Sequence, residues 1–120
     1  MKAADEFFEK TKLILQTADA DKLFSAAGEM TTRWPQDARG WNFLGIAYGM
    51  KGQTEDARTA YKHSIALNPR LYATWANLGT SYSIAGDREQ AIADFKESLR
   101  LKSEYINWLK LGIAQEAIKD

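Results

Sequence analysis

Few residues in this sequence could perform chemistry, and their spacing argues against it. His63 is the only histidine among 120 residues, and there is no cysteine. Without cysteine there are no disulfides, zinc–thiolate sites or thiol nucleophiles. A lone imidazole beside Lys62, with no converging carboxylates, makes neither a metal site nor a catalytic dyad, so His63 reads as a solvated surface side chain. The acidic pairs Glu55–Asp56 and Asp19/Asp21 fall at predicted helix starts, where they favour the positive end of the helix dipole. The segment "SIAGDREQ" has one glycine and no phosphate-cradling loop. Four tryptophans could stack on bases, yet Trp41, Trp75 and Trp108 recur at one repeated position and read as core. Trp34, before Pro35, is placed over the first junction between units. The pattern predicts no catalytic residue, no metal and no cofactor.

The totals agree. Lysine plus arginine equals 16, as does aspartate plus glutamate, so no net field gathers nucleic acid or an anionic membrane. Residues 37–71 carry only a slight positive excess. With 45% hydrophobic and 27% charged residues, the chain is expected to fold as one modest globular domain spanning 1–120. "MKAADEFFEKTK" has no continuous apolar stretch of signal-peptide type, and no run approaches a membrane span. A cytoplasmic protein is expected.

The elements that position these residues recur. "WNFLGIAY" (41–48) returns as "WANLGTSY" (75–82), and a damaged copy, "WLKLGIAQ", begins at Trp108. Pro35 and Pro69 share the 34-residue period. Trp41, Leu44, Gly45 and Tyr48 fall on one helix face, and Ala57, Ala60, Tyr61, Ser64 and Ile65 form a complementary stripe on the next helix. The following unit repeats the scheme with Trp75, Leu78, Gly79, Tyr82, Ala91, Phe95 and Leu99. Gly45 in mid-helix costs about 1 kcal/mol of propensity, which close packing against Ala57 is expected to offset. Gly52 and Gly86 suit left-handed helix C-caps, and Thr54 and Asp87 suit N-caps. Seven helices are predicted, at about 3–17, 20–32, 38–51, 54–67, 72–85, 88–101 and 104–119. Such helix pairs cannot bury their apolar faces alone and must stack.

With this pattern the chain resembles the tetratricopeptide repeat family. Residues 38–71 meet the family's W-x2-L-G-x2-Y…A-x3-F/Y…P scheme, and 72–105 meet it with Ser103 in place of the closing proline. The unit at about 4–37 keeps Phe7, Ile14, Leu23, Ala27 and Pro35 in register but has Lys10–Thr11 where Leu-Gly is expected. The resemblance implies an all-α fold, a right-handed α-solenoid of about three helix-turn-helix units closed by a terminal capping helix at 104–119. It also implies a non-enzymatic scaffold that holds a peptide or partner helix in a concave groove lined by the first helix of each unit. The groove residues it implies are Phe8, Lys12 and Leu15, then Asn42, Ile46, Gly49 and Met50, then Ala76, Asn77, Thr80, Ser83 and Ile84, with Leu109 and Ile113 added by the terminal helix. An alternative reading for Ile46, Met50 and Ile84 is packing between units.

Some members of the family clamp a chaperone's C-terminal carboxylate with lysine, asparagine and arginine. Here the matching positions hold Phe8, Lys12, Phe43, Ala73 and Asn77. A frame shifted by one unit gives Asn42, Ile46, Asn77, Ile106 and Lys110. Neither set supplies the charge-assisted hydrogen bonds a carboxylate needs. The terminal helix raises a second reading, self-association through Leu109 and Ile113, with Trp108, Leu111 and Gly112 on a stripe able to bury against the preceding helix. Expected partners are therefore a protein or peptide, with a homodimer as the alternative, and neither nucleic acid nor membrane.

Overall fold

The computed structural model describes the backbone of residues 2–119 and the side chains of residues 2–110. Six helices follow in order: α1 (Ala3–Gln16), α2 (Ala20–Arg33), α3 (Ala38–Met50), α4 (Thr54–Leu67), α5 (Tyr72–Ile84) and α6 (Arg88–Lys119). Each packs on its neighbour in sequence, and α3 also touches both α1 and α5. The odd-numbered helices thus form one layer of a helical solenoid and the even-numbered ones the other.

The period is written into the turns. Gly52 and Gly86 adopt φ of 77° and 87°, and the following amides, of Gln53 and Asp87, each donate to a tyrosine carbonyl, Tyr48 and Tyr82, at 2.9 Å. In the first unit Ala18 occupies the same place at φ 56°, where a Cβ costs about 1 kcal/mol that glycine avoids. Asp87 caps α6 by accepting from the Gln90 amide at 3.2 Å. Thr54, expected as a cap, is instead the first residue of α4, whose N-cap Gln53 makes no side-chain bond.

Packing within each unit turns on one small position. A Cβ on Gly45 would collide with the ring of Tyr61, not with Ala57 as expected, and one on Gly79 would lie 2.9 Å from the ring of Phe95. Each glycine makes room for an aromatic ring from the second helix. The first unit inverts the arrangement. Thr11 stands at the glycine position and Ala27 at the ring position, both fully buried, and the Thr11 hydroxyl donates back to the Phe7 carbonyl at 2.8 Å. Side-chain volume has moved from the second helix to the first, so a sequence that breaks the motif keeps the packing.

Polar ties recur at equivalent places, from serines within a unit and from tryptophans between units. Ser64 Oγ donates to the Ala38 carbonyl at 2.8 Å, and Ser98 Oγ to the Tyr72 carbonyl at 2.7 Å. The indole N–H groups of Trp41 and Trp75 donate to the carbonyls of Pro35 and Pro69 at 2.9 and 2.8 Å. These two tryptophans are half-buried rather than core. Trp34 packs beside Phe7, ring centroids 5.5 Å apart, over the first junction.

The main departure from the sequence reading is α6, which runs unbroken for 32 residues where two helices were expected. α4 stops at Leu67, two residues before Pro69; the equivalent of that proline is Ser103, and no glycine or proline lies between Leu101 and Asn107. Nothing there removes an amide donor or demands a left-handed residue, so the backbone continues. The helix therefore does not turn back on itself. Trp108 is 68% exposed instead of buried against the preceding helix, and Leu99, placed in the core by sequence, is 64% exposed. The side chains of Leu111, Gly112 and Ile113 lie outside the described residues.

Candidate functional site

A groove of about 980 Å³ opens along the layer of first helices and is closed at one end by α6. Its walls are Phe8, Lys12 and Leu15 of α1; Arg39, Asn42, Phe43 and Ile46 of α3; Arg70, Leu71, Tyr72, Ala73, Thr74 and Asn77 of the turn before α5 and α5 itself; and Leu101, Glu104, Tyr105 and Trp108 of α6. The volume is at the upper end of what a small-ligand site uses, and it suits several residues of a peptide.

Helical spacing explains the convergence. Arg39, Asn42 and Ile46 stand at i, i+3 and i+7 on α3, and Phe8, Lys12 and Leu15 at i, i+4 and i+7 on α1. At the α1 end the rings of Phe8 and Phe43 lie 5.4 Å apart. The Lys12 ammonium and the Arg39 guanidinium lie over Phe8, at 5.3 and 4.5 Å from its centroid. Arg39 is fixed by Asp37 at 2.7 Å and Asp5 at 2.9 Å. Its hydrogen bond to Asp37 raises the guanidinium pKa and holds the Asp37 carboxyl below the usual range. This end therefore presents an aromatic surface under a fixed, neutralised cation. At the α6 end Arg70 faces Glu104 at 3.4 Å, and Tyr72 lies 6.3 Å from Tyr105.

Between the two ends Asn77 Nδ2 donates to Asn42 Oδ1 at 3.0 Å, across part-buried positions on adjacent first helices. That bond leaves an amide donor on Asn42 and a carbonyl acceptor on Asn77 with no hydrogen bond among the described residues.

Of the residues implied by the sequence, Phe8, Lys12, Leu15, Asn42, Ile46 and Asn77 meet in this groove. Met50, Thr80 and Ile84 do not line it. They lie further along α3 and α5, and Ile84 is 72% exposed, which also removes it from packing between units. Gly49 and Ser83 are exposed there too. Ile46 does both things, touching the two buried clusters while lining the groove. All five positions of the carboxylate clamp, Phe8, Lys12, Phe43, Ala73 and Asn77, face the groove, but Lys12 alone is cationic. Arg39 was missed although extending the Asn42–Ile46 face one turn would have found it. Arg70, Leu71 and Tyr72 begin at a turn that periodicity does not reach. His63 is exposed as expected but stacks on Trp41, with centroids 3.9 Å apart. Leu109 lies on the α6 extension outside the groove, and Ile113 falls outside the described residues. Among the described residues no group of histidine and acidic side chains could hold a metal, and no helix is long and apolar enough to cross a membrane.

Comparison with known proteins agrees with this architecture. Two profiles described as tetratricopeptide repeat match residues 38–71 and 72–105. No curated protein matches the sequence. Among solved structures, the TPR2B domain of yeast Sti1 in a complex with an Hsp70 peptide is similar at a TM-score of 0.78 and 20% identity, covering 87% of this chain and 83% of that one. The second TPR of Spaghetti (RPAP3), bound to the HSP90 peptide SRMEEVD, gives 0.74 and 17%, covering 83% and 93%. MamA gives 0.72 and 19%, covering 87% of this chain but 61% of its own, so the chain spans about six-tenths of that relative.

Proposed function

Because the chain belongs to the tetratricopeptide repeat family, we propose that it is a non-enzymatic scaffold holding an extended segment of a partner protein in the groove between α1 and α6. The observation that carries this reading is the Asn42–Asn77 pair. Its free donor and free acceptor match the carbonyl and amide that every peptide unit presents, so the pair can grip main chain irrespective of sequence. Specificity then falls to the flanks. Phe8, Phe43 and Ile46 accept apolar or aromatic side chains at one end, and Tyr72, Tyr105 and Trp108 do so at the other.

Repeats of this family are generally interaction modules, and two of the similar folds were solved with chaperone peptides. This groove differs in kind. With phenylalanine at positions 8 and 43 and alanine at 73, Lys12 is the one cation at the positions that would clamp a terminal carboxylate, and Arg39 is already neutralised by two aspartates. An internal segment fits as well as a chain end.

Peptides selected from a displayed random library against the folded protein test this. Ile46→Glu is expected to weaken the selected peptides at least about tenfold, since a charge would sit where apolar anchors desolvate. Asn42→Ala with Asn77→Ala does the same through the main chain, whereas amidating the peptide C-terminus changes affinity less than about threefold. Thr80→Glu and Ile84→Glu, outside the groove lining, have smaller effects. Normal binding by Ile46→Glu together with loss on His63→Ala would move the site to the opposite layer and end this reading.

A further inference from the structure

A second surface on α6 points away from the groove. Ile92, Phe95, Leu99 and Ile106 form one stripe of the helix, with Leu109 at its edge, and all five are exposed. The 34-residue period says what kind of surface this is. Phe95 and Leu99 are the counterparts of Tyr61 and Ile65 on α4, which pack against Leu78 and Tyr82 of α5. The stripe is thus the face on which α4 carries another helix, and among the described residues α6 packs on α5 alone.

Charge narrows what could lie there. The residues bordering the stripe are Arg88, Lys96, Lys102 and Lys110, all exposed and without a salt bridge among the described residues. Among the described acidic groups of α6, Glu97 and Glu104 pair with Arg100 on another side and Asp94 is buried. Glu89, next to Arg88, is the one exposed carboxylate near the stripe, and the four cations leave the border net positive. α4 shows how such cations are received. Arg58 and Lys62, bordering the equivalent face, lie 5.3 and 5.6 Å from the centroid of the Tyr82 ring on α5. Lys96 is the counterpart of Lys62. A second copy of α6 laid on this stripe would bring lysines and arginine against their like. The outer side of α1 offers one exposed apolar residue, Leu13, among the exposed Lys2, Glu6, Glu9 and Lys10, too little to cover a stripe of five.

We propose that this face of α6 binds a partner's amphipathic helix whose apolar stripe carries an aromatic residue and is flanked by aspartate or glutamate. The apolar stripe supplies the burial, and the cationic border selects for acidic flanks and sets orientation. This site is separate from the groove and does not rest on what the groove binds.

The test uses the whole chain and a fluorescent synthetic helix of about 20 residues, with a leucine and tyrosine stripe at i, i+4 and i+7 and glutamates on both flanks. Binding is followed by anisotropy. The helix is expected to bind, to weaken with added salt, and to lose at least about tenfold on Leu99→Glu or on Lys96→Glu. Ile46→Glu, in the groove, leaves it unchanged. Circular dichroism checks that each variant keeps its helicity, and Lys96→Glu, at an exposed position, serves if Leu99→Glu does not fold. Absence of binding overturns the proposal, as does equal binding of a control helix with lysine flanks. Attachment to phosphatidylserine vesicles without helix binding overturns it in favour of a membrane. Dimers in light scattering that Leu99→Glu dissolves overturn it in favour of a second copy.

Discussion

The second and third units are nearly the same sequence pattern in different company. Residue by residue, Ala57 and Ala91 are both buried, and Ser64 and Ser98 make the same bond to the helix before them. Yet Tyr61 is 6% exposed and Phe95 36%, and Ile65 packs against Leu78 and Tyr82 while Leu99 faces outward. The difference is the next helix. α5 covers α4, and α6 has no such neighbour in the described structure. A repeat therefore encodes two half-interfaces, and its contribution to stability is set by what stands beside it.

The sharpest way to break this comparison is to fill the two glycine positions. Gly45→Ala is expected to lower stability by about 2–3 kcal/mol, because Tyr61 is enclosed by α5 and has nowhere to move. Gly79→Ala costs about 1 kcal/mol or less, since Phe95 can swing toward its open side. Gly49→Ala, where a Cβ meets nothing within 4 Å, gains a few tenths of a kcal/mol from helix propensity. Urea midpoints compare the three, and equal losses at Gly45 and Gly79 would mean that the neighbouring helix is irrelevant to the cost.

Truncating the outward side chains measures the cover itself. Ile65→Ala should cost about 2 kcal/mol and Leu99→Ala less than about 0.5, read as the shift in thermal midpoint. A large loss at Leu99 would show that its surface is covered in solution.

A buried charge in the third unit, absent from the second, is expected to act in the opposite direction. Asp94 stands where the second unit has Ala60, and it is 1% exposed with Oδ2 unpartnered and Oδ1 accepting from Gln90 at 3.0 Å. Burial pushes its carboxyl above the usual range, so folding favours the protonated form. The stability that Asp94 permits is complete below the ordinary carboxylate pKa of about 4 and declines as pH rises through the raised folded value. Asp94→Ala is therefore expected to stabilise by about 1 kcal/mol at neutral pH and by nothing near pH 3. Denaturant titrations at the two pH values distinguish this from a simple packing gain, which would persist in acid.

The sequence was legible wherever chemistry forces geometry. Glycine at a left-handed turn and apolar residues on one face each have a single structural solution, and from these came the stacked helix pairs. The solenoid and the face bearing Phe8, Lys12, Asn42, Ile46 and Asn77 followed instead from the family resemblance those residues carry. It was least legible where the expected cause was absent. Residues 104–119 read as a new helix, but a helix ends only where something stops it, and "LKSEYIN" holds no stop. In the groove, Met50, Thr80 and Ile84 share a helix with true lining residues, and the pattern along a helix does not say where the groove ends. The bond between Asn42 and Asn77 depends on the angle between two helices, which no spacing within one helix reports.

Because each helix meets chiefly its predecessor and successor, almost every contact closes a loop of a few dozen residues or fewer. The entropy of such closure rises only slowly with loop length, and none of it requires bringing the chain's distant ends together. Folding can begin in any adjacent pair and spread outward, at the fast end of the range for domains of this size. Unfolding runs the same way, from the termini inward, so the first amides to exchange with solvent should be those of α1 and the far end of α6, while α3 and α4, enclosed on both sides, exchange last.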